Sequence, residues 1–166
     1  GTGEFIMMGL LPDVSRSLAI TEPQAGNAIA SYALGVVVGA PFIAVLAARM
    51  ARKSLLLILM ALFSIGNVAS AMADSYHGLI VARFLTGLPH GAYFGVASLV
   101  AASLVSPARR GRALASLMLG LTVATLIGVP LGSWIGQLFS WHVVFTFVGA
   151  IGLLTCLLIE IGRASC

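Results

Sequence analysis

Ala47-Ala48-Arg49-Met50-Ala51-Arg52-Lys53 and Ser106-Pro107-Ala108-Arg109-Arg110-Gly111-Arg112 decide how this chain is arranged. Each is a short basic interruption between long apolar runs. Arg49, Arg52, Lys53, Arg109, Arg110 and Arg112 are six of the nine lysines and arginines in the chain. The alternate connections carry a different set: Asp13, Arg16 and Glu22 in one, Asp74 and His77 in another. Lysine and arginine concentrate in the cytoplasmic loops of helical membrane proteins. The alternation therefore predicts residues 49–53 and 106–112 inside, and residues 13–26, 74–77 and 139–142 outside. The location it implies is the inner (plasma) membrane, crossed several times.

The lengths of the apolar runs agree. A spanning helix needs about 20 apolar residues rising about 1.5 Å each. Runs of that order cover residues 27–48, 54–73, 78–105, 113–138 and 143–159. Residues 1–12 are apolar but shorter, and read as the outer half of a first helix whose beginning is missing. The expected fold class is all-α, a polytopic membrane bundle over residues 1–159. The last stretch, Glu160-Ile161-Gly162-Arg163-Ala164-Ser165-Cys166, back-translates to a sequencing-adapter read-through and is expected to be a non-native tail.

Composition narrows the function classes. Only 8% of residues are charged and 60% are hydrophobic, whereas soluble domains carry about 25% charged residues. The basic residues are used up in the loops and form no basic face with stacking aromatics, so nucleic acid is not the expected partner. Cys156 lies within a spanning segment and Cys166 at the end, which makes neither a disulfide framework nor a metal site. His77, His90 and His142 are scattered. No metal and no cofactor are expected; the lipid bilayer is the expected surrounding.

Small residues recur every four positions within the spans. Gly35 and Gly39 precede Pro41 in the second; Gly87, Gly91 and Gly95 surround Pro89 in the fourth; Gly120, Ala124, Gly128, Gly132 and Gly136 surround Pro130 in the fifth. Such stripes let helix backbones approach closely in lipid, and each proline frees a carbonyl, marking a bend or a site buried in protein. The two halves also correspond. Segments one and four carry Glu4 and Arg83, segments two and five combine a small-residue stripe with a proline, and segments three and six are uninterrupted. Three spans per unit give the second unit the opposite orientation. Such 3+3 inverted repeats point to a secondary transporter.

These residues resemble the major facilitator superfamily, in its drug:proton antiporter and sugar-efflux branch. Gly3-Glu4-Phe5 with Met8-Gly9-Leu10-Leu11-Pro12 is similar to that branch's first helix, and Tyr32 to Gly35 with Gly39-Ala40-Pro41 to its second. Arg83-Phe84-Leu85-Thr86-Gly87 is similar to the Arg-x-x-x-Gly motif of the fourth helix. Gly128-Val129-Pro130-Leu131-Gly132, followed by Trp141 and Phe145, is similar to the antiporter motif of the fifth and its exit. The resemblance covers residues 1–159 and implies the amino-terminal six-helix half of a twelve-helix transporter, whose carboxy-terminal half would be a missing partner. Two departures stand out. The usual Gly-x-Leu-Ala-Asp-Arg-x-Gly-Arg loop has Ala44, Ala48 and Ala51 in place of its glycines and aspartate, while Arg49, Arg52 and Lys53 remain. His142 stands where an arginine commonly follows the tryptophan.

The function implied is proton-coupled efflux of a small molecule, such as a sugar or drug, by alternating access. Ionisable side chains within the membrane are functional candidates by default, so Glu4 and Arg83 lead as the proton-coupling pair. Counted inward from Pro12 and from Ser75, both are expected about 10–13 Å deep, close enough to meet. His90, Tyr32 and Met8 are candidates to line the cavity, although packing explains Tyr32 and Met8 equally well. Gly35, Gly39, Pro41, Gly87, Gly128, Pro130 and Gly132 are candidates for helix packing and conformational switching, with Arg49, Arg52 and Lys53. Asn67, Thr122 and Thr125 are expected to bond between helices. No catalytic residue is expected. Two rival readings are a membrane scaffold that transports nothing and an intramembrane hydrolase using Ser98 with His90. Ser98 and His90 are separated by about 12 Å along one helix, too far to hydrogen-bond.

Overall fold

A computed structural model describes residues 2–162. Six helices follow one another: α1 (Thr2–Leu18), α2 (Glu22–Ala47), α3 (Arg52–Ala71), α4 (Tyr76–Ser103), α5 (Arg110–Leu138) and α6 (Trp141–Ile161), with a 3-10 turn at Pro107–Arg109 before α5. The helices from α2 to α6 are long and apolar enough to cross a membrane.

The helices begin earlier than the apolar runs suggest because polar caps, not hydropathy, set their starts. The Thr21 hydroxyl accepts from the Gln24 amide at 3.3 Å, and the Gln24 side chain accepts from the Thr21 amide at 3.0 Å. That reciprocal pair starts α2 at Glu22 rather than near residue 27. Ser75 accepts from the Gly78 amide at 3.2 Å and Ser140 from the His142 amide at 3.0 Å, starting α4 and α6 two residues before their apolar runs.

The first helix differs most from expectation. The helix does not end at Pro12 but runs six residues further, to Leu18. The Pro12 carbonyl accepts from the Ser15 hydroxyl at 3.0 Å and from Arg16 Nε at 3.2 Å. Arg16 also pairs with Asp13 at 2.7 Å. The helix stops where Ala19 takes a left-handed backbone (φ 52°), with the Ile20 amide reaching back to the Ser15 carbonyl at 3.0 Å. That is the six-to-one bond of a Schellman ending.

Pro41, Pro89 and Pro130 lie within continuous α2, α4 and α5. Each helix continues past its proline, so the missing N–H disturbs only the local turn. Pro41 and Pro130 sit on exposed faces, and Pro89 is buried.

The packing follows the exchange symmetry of two three-helix units. α2 of the first unit packs along α4 of the second, α5 of the second packs along α1 of the first, and α3 and α6 pack on each other. Glycines make both parallel contacts possible. A methyl on Gly35 would lie 2.2 Å from the Phe84 carbonyl oxygen, and one on Gly39 would lie 2.1 Å from that of Leu88. Gly87 faces the Tyr32 carbonyl as closely, at 2.2 Å. On α5, Gly128 meets Thr2, Gly132 meets Ile6 and Gly136 meets Leu10. Ile6, Met7, Leu10 and Val14 of α1 join Trp141, Val144 and Phe145 of α6 in the outer core, while Leu55, Leu56 and Leu59 join Ala92, Val96 and Ala97 in the inner one.

The basic residues gather at one end. Arg49, Arg52, Arg109, Arg110 and Arg112 are exposed there, and Lys53 pairs with Glu160 at 3.3 Å. α6 continues helically through Glu160 and Ile161; the rest of the expected tail, residues 163–166, lies outside the described residues.

Candidate functional site

The polar groups of the bundle interior converge where α1, α2 and α4 meet. Because α1 ends at Leu18, Glu4 lies fourteen residues from the outer end, about 21 Å along the axis. His90 lies fourteen residues from Tyr76 at the outer end of α4, about 21 Å as well. His90 thus stands halfway along the 28-residue α4, and Glu4 shares its level.

At that level Glu4 meets His90 and not Arg83. The carboxylate lies 3.9 Å from His90 Nε2. On the other ring nitrogen, Nδ1 of His90 hydrogen-bonds the hydroxyl of Tyr32. Phe63 of α3 and Phe94 of α4 pack on the imidazole, with ring centroids 6.0 and 5.5 Å away. One histidine thus joins α1, α2, α3 and α4.

Arg83 lies two turns nearer the outer side and is completely buried. It donates from Nη2 to the Gly3 carbonyl at 2.8 Å. Its guanidinium carbon sits 4.3 Å from the centre of the Tyr32 ring and 5.1 Å from that of Phe145. Cation–ring contacts contribute about 0.5–2 kcal/mol each. Nε and Nη1 have no hydrogen-bond partner among the described residues. In this conformation Glu4 faces His90 and Arg83 the Gly3 carbonyl, with Tyr32 touching both His90 and Arg83.

Other candidates distribute differently from expectation. Tyr32 is buried within the network. Met8 is 55% exposed and is not among the residues that wall the interior cavity below His90. Thr122 and Thr125 bond the carbonyls of Met118 and Leu121 four residues back, and Asn67 that of Phe63. A helical hydroxyl finds its own helix's carbonyl more readily than a neighbour's. Two hydroxyls do bond between helices, Ser31 to the Ile80 carbonyl and Thr2 to the Ala124 carbonyl, each 2.8 Å. Sequence reasoning missed both. Their signal is a small polar residue next to a glycine stripe, where close backbones bring a carbonyl within reach. His142 stacks on Trp141, with ring centroids 3.7 Å apart, and Ser140 bonds its Nδ1 at 3.0 Å.

A cavity of about 440 Å³ opens below His90 toward the basic end, walled by α3, α4, α5 and α6. Phe63, Phe94, Leu117, Gly120 and Leu121 form much of its surface.

Residues 1–163 match the Major Facilitator Superfamily. The chain belongs to that superfamily. It has the fold of one six-helix half and is a multi-pass protein of the inner membrane. Among its relatives, the inner membrane transport protein YdhP of Escherichia coli (strain K12) is 44% identical over 155 residues, covering 93% of this chain and 40% of that protein. A chloramphenicol resistance protein of Streptomyces lividans is 39% identical, covering 87% and 37% respectively. A probable sugar efflux transporter of Helicobacter acinonychis is 32% identical, covering 95% and 40%. The chain thus spans about two fifths of the length of these curated relatives.

Proposed function

We propose that the protein to which this chain belongs is a proton-coupled efflux transporter, with a second six-helix half completing it and Glu4 with His90 forming its proton site. The observation that carries this reading is the facing of the Glu4 carboxylate and the His90 imidazole halfway along α4. A carboxylate's proton affinity depends on its solvation and on nearby charge. A rocking of two halves about a midplane site changes both. Glu4 protonated from one side and deprotonated toward the other links proton movement to substrate movement in the opposite direction. His90 supplies a hydrogen-bonding neighbour to either form, and Tyr32 holds its other nitrogen. Arg83 fixes the start of α1 through the Gly3 carbonyl and keeps a positive charge near the site.

In this mechanism α1 and α4 line the site. The glycine contacts of α2 with α4 and of α5 with α1 are the surfaces along which helices shift. The names of relatives support an exported small molecule, since one is named for chloramphenicol resistance and another for sugar efflux.

The test is substrate-evoked proton flux. Full-length protein in proteoliposomes enclosing a pH-sensitive dye is offered a panel containing chloramphenicol and several sugars. The expected result is proton movement evoked by at least one compound and stopped by a protonophore. Transport of a compound with no proton movement would overturn the coupling. No flux with any compound, from protein shown to be folded, would favour the non-transporting scaffold.

A further inference from the structure

Two buried side chains, one on α3 and one on α4, hold unpartnered polar atoms of opposite kind beside the same residue of α1. Asn67 and Arg83 are both fully buried. The Asn67 amide nitrogen donates to the Phe63 carbonyl at 2.9 Å, which leaves Oδ1 an acceptor with no donor among the described residues. Arg83 gives Nη2 to the Gly3 carbonyl, which leaves Nε and Nη1 donors with no acceptor among them. Buried polar groups are almost always hydrogen-bonded, so an acceptor and two donors of this kind call for a partner.

Gly3 is their common neighbour. Arg83 Nη2 lies 2.8 Å from its carbonyl oxygen, and Asn67 Oδ1 lies 3.7 Å from where a methyl on Gly3 would stand. The packing of α3 on α4 gives the same placement independently. Gly66 lies against Thr86, whose Cα is 3.0 Å from where a methyl on the glycine would stand. The two helices are consecutive and run antiparallel, so Asn67 stands one residue outward of Gly66 and Arg83 three residues outward of Thr86. At about 1.5 Å per residue their levels differ by about 3 Å.

We propose that Asn67 and Arg83 hold a single buried water between them on the flank of Gly3. The bridging molecule must accept from a guanidinium and donate to an amide carbonyl, and water does both. An anion has no proton for Oδ1, and a cation is repelled by Arg83. A substrate hydroxyl has the chemistry but not the access, since neither side chain has exposed surface. Oδ1 with Nε or Nη1 supplies the two polar partners that a buried water needs at the least, out of a usual range of about two to four. The water ties α3 to the contact between α1 and α4, and holds the guanidinium where Nη2 reaches the Gly3 carbonyl. Asn67 thereby sets the position of Arg83, whether or not Glu4 and His90 carry a proton.

Two measurements on the full-length protein test this. The first is a density map of the protein in nanodiscs, at a resolution that shows ordered water. The expected result is a peak within about 2.6–3.2 Å of both Asn67 Oδ1 and Nε or Nη1 of Arg83. Both side chains resolved with no peak between them, or Oδ1 bonded directly to the guanidinium, would overturn the proposal. The second is a double-mutant cycle on thermal unfolding in detergent, with Asn67→Leu and Arg83→Met. The bond to the Phe63 carbonyl is lost with Asn67 in both backgrounds and cancels in the cycle. Asn67→Leu is expected to lower the melting midpoint of the wild type, and to lower that of Arg83→Met by less than half as much. Equal shifts in the two backgrounds would make Asn67 a packing residue indifferent to Arg83, and the bridge would fall. Where Asn67→Leu does not fold, the map alone decides.

Discussion

The Glu4 carboxylate of α1 stands 3.9 Å from Nε2 of His90 on α4, while Arg83, two turns away on the same face of α4, gives its hydrogen bond to the Gly3 carbonyl. The acid and the imidazole are thereby paired, and the guanidinium is committed to backbone and aromatic rings. In the proposed mechanism that division assigns separate work to Arg83 and His90 on α4.

His90 and Arg83 should therefore fail differently. His90→Asn keeps a polar group for Tyr32 but removes the ionisable ring. In full-length protein it is expected to retain substrate exchange and lose at least about tenfold of proton-linked transport. Exchange and proton-driven uptake, measured on the same proteoliposomes over a range of pH, separate the two. Equal loss of both would make His90 a packing residue.

Arg83→Met is expected to keep the fold. It removes the additional bond to the Gly3 carbonyl, which lies within helix α1, but it also removes two buried donors, Nε and Nη1, that have no partner among the described residues. Replacing a buried charge by an apolar side chain of similar volume is often near neutral. Thermal unfolding in detergent should shift by only a few degrees while transport is abolished. Preserved transport would reduce Arg83 to a structural role.

The glycine stripes divide into occupied and vacant positions, and stability should follow that division. Gly39→Ala places a methyl 2.1 Å from the Leu88 carbonyl oxygen, against backbone that cannot turn aside, whereas Gly95→Ala meets nothing within 4 Å. Overpacking costs about 1–3 kcal/mol, so Gly39→Ala should lower the melting temperature and Gly95→Ala should hold or raise it. Equal effects would mean that α2 and α4 do not cross here.

Ala19 carries the left-handed backbone that ends α1. A left-handed conformation costs a residue with a Cβ about 1 kcal/mol or more, and glycine adopts it freely. Ala19→Gly should stabilise the protein by about 1 kcal/mol, read from denaturation in mild detergent.

Much of this fold is legible in the sequence because the membrane imposes few solutions. The basic stretches at Arg49 to Lys53 and Arg109 to Arg112 give the topology, and the apolar runs give the spans. The helix starts at Glu22, Tyr76 and Trp141 lie ahead of the apolar runs because hydropathy does not report a capping hydroxyl. For the site, the residue types were legible and their partners were not. Glu4 and Arg83 are the conspicuous charges, but which groups meet depends on where α1 ends, and Pro12 suggested an end that Ser15 and Arg16 avert. Tyr32 and His90 are far apart in the chain. Only the close approach of α2 and α4 at Gly35 and Gly87 brings them together.

The most direct measurement is proton-driven transport against exchange for Glu4→Gln in the full-length protein, using whichever compound evokes proton flux in the wild type. The expected result is substrate exchange close to wild type with no uphill transport and no evoked proton movement, because the amide cannot release a proton. Proton-driven transport undiminished by Glu4→Gln would contradict the assignment of the proton site to Glu4 and His90.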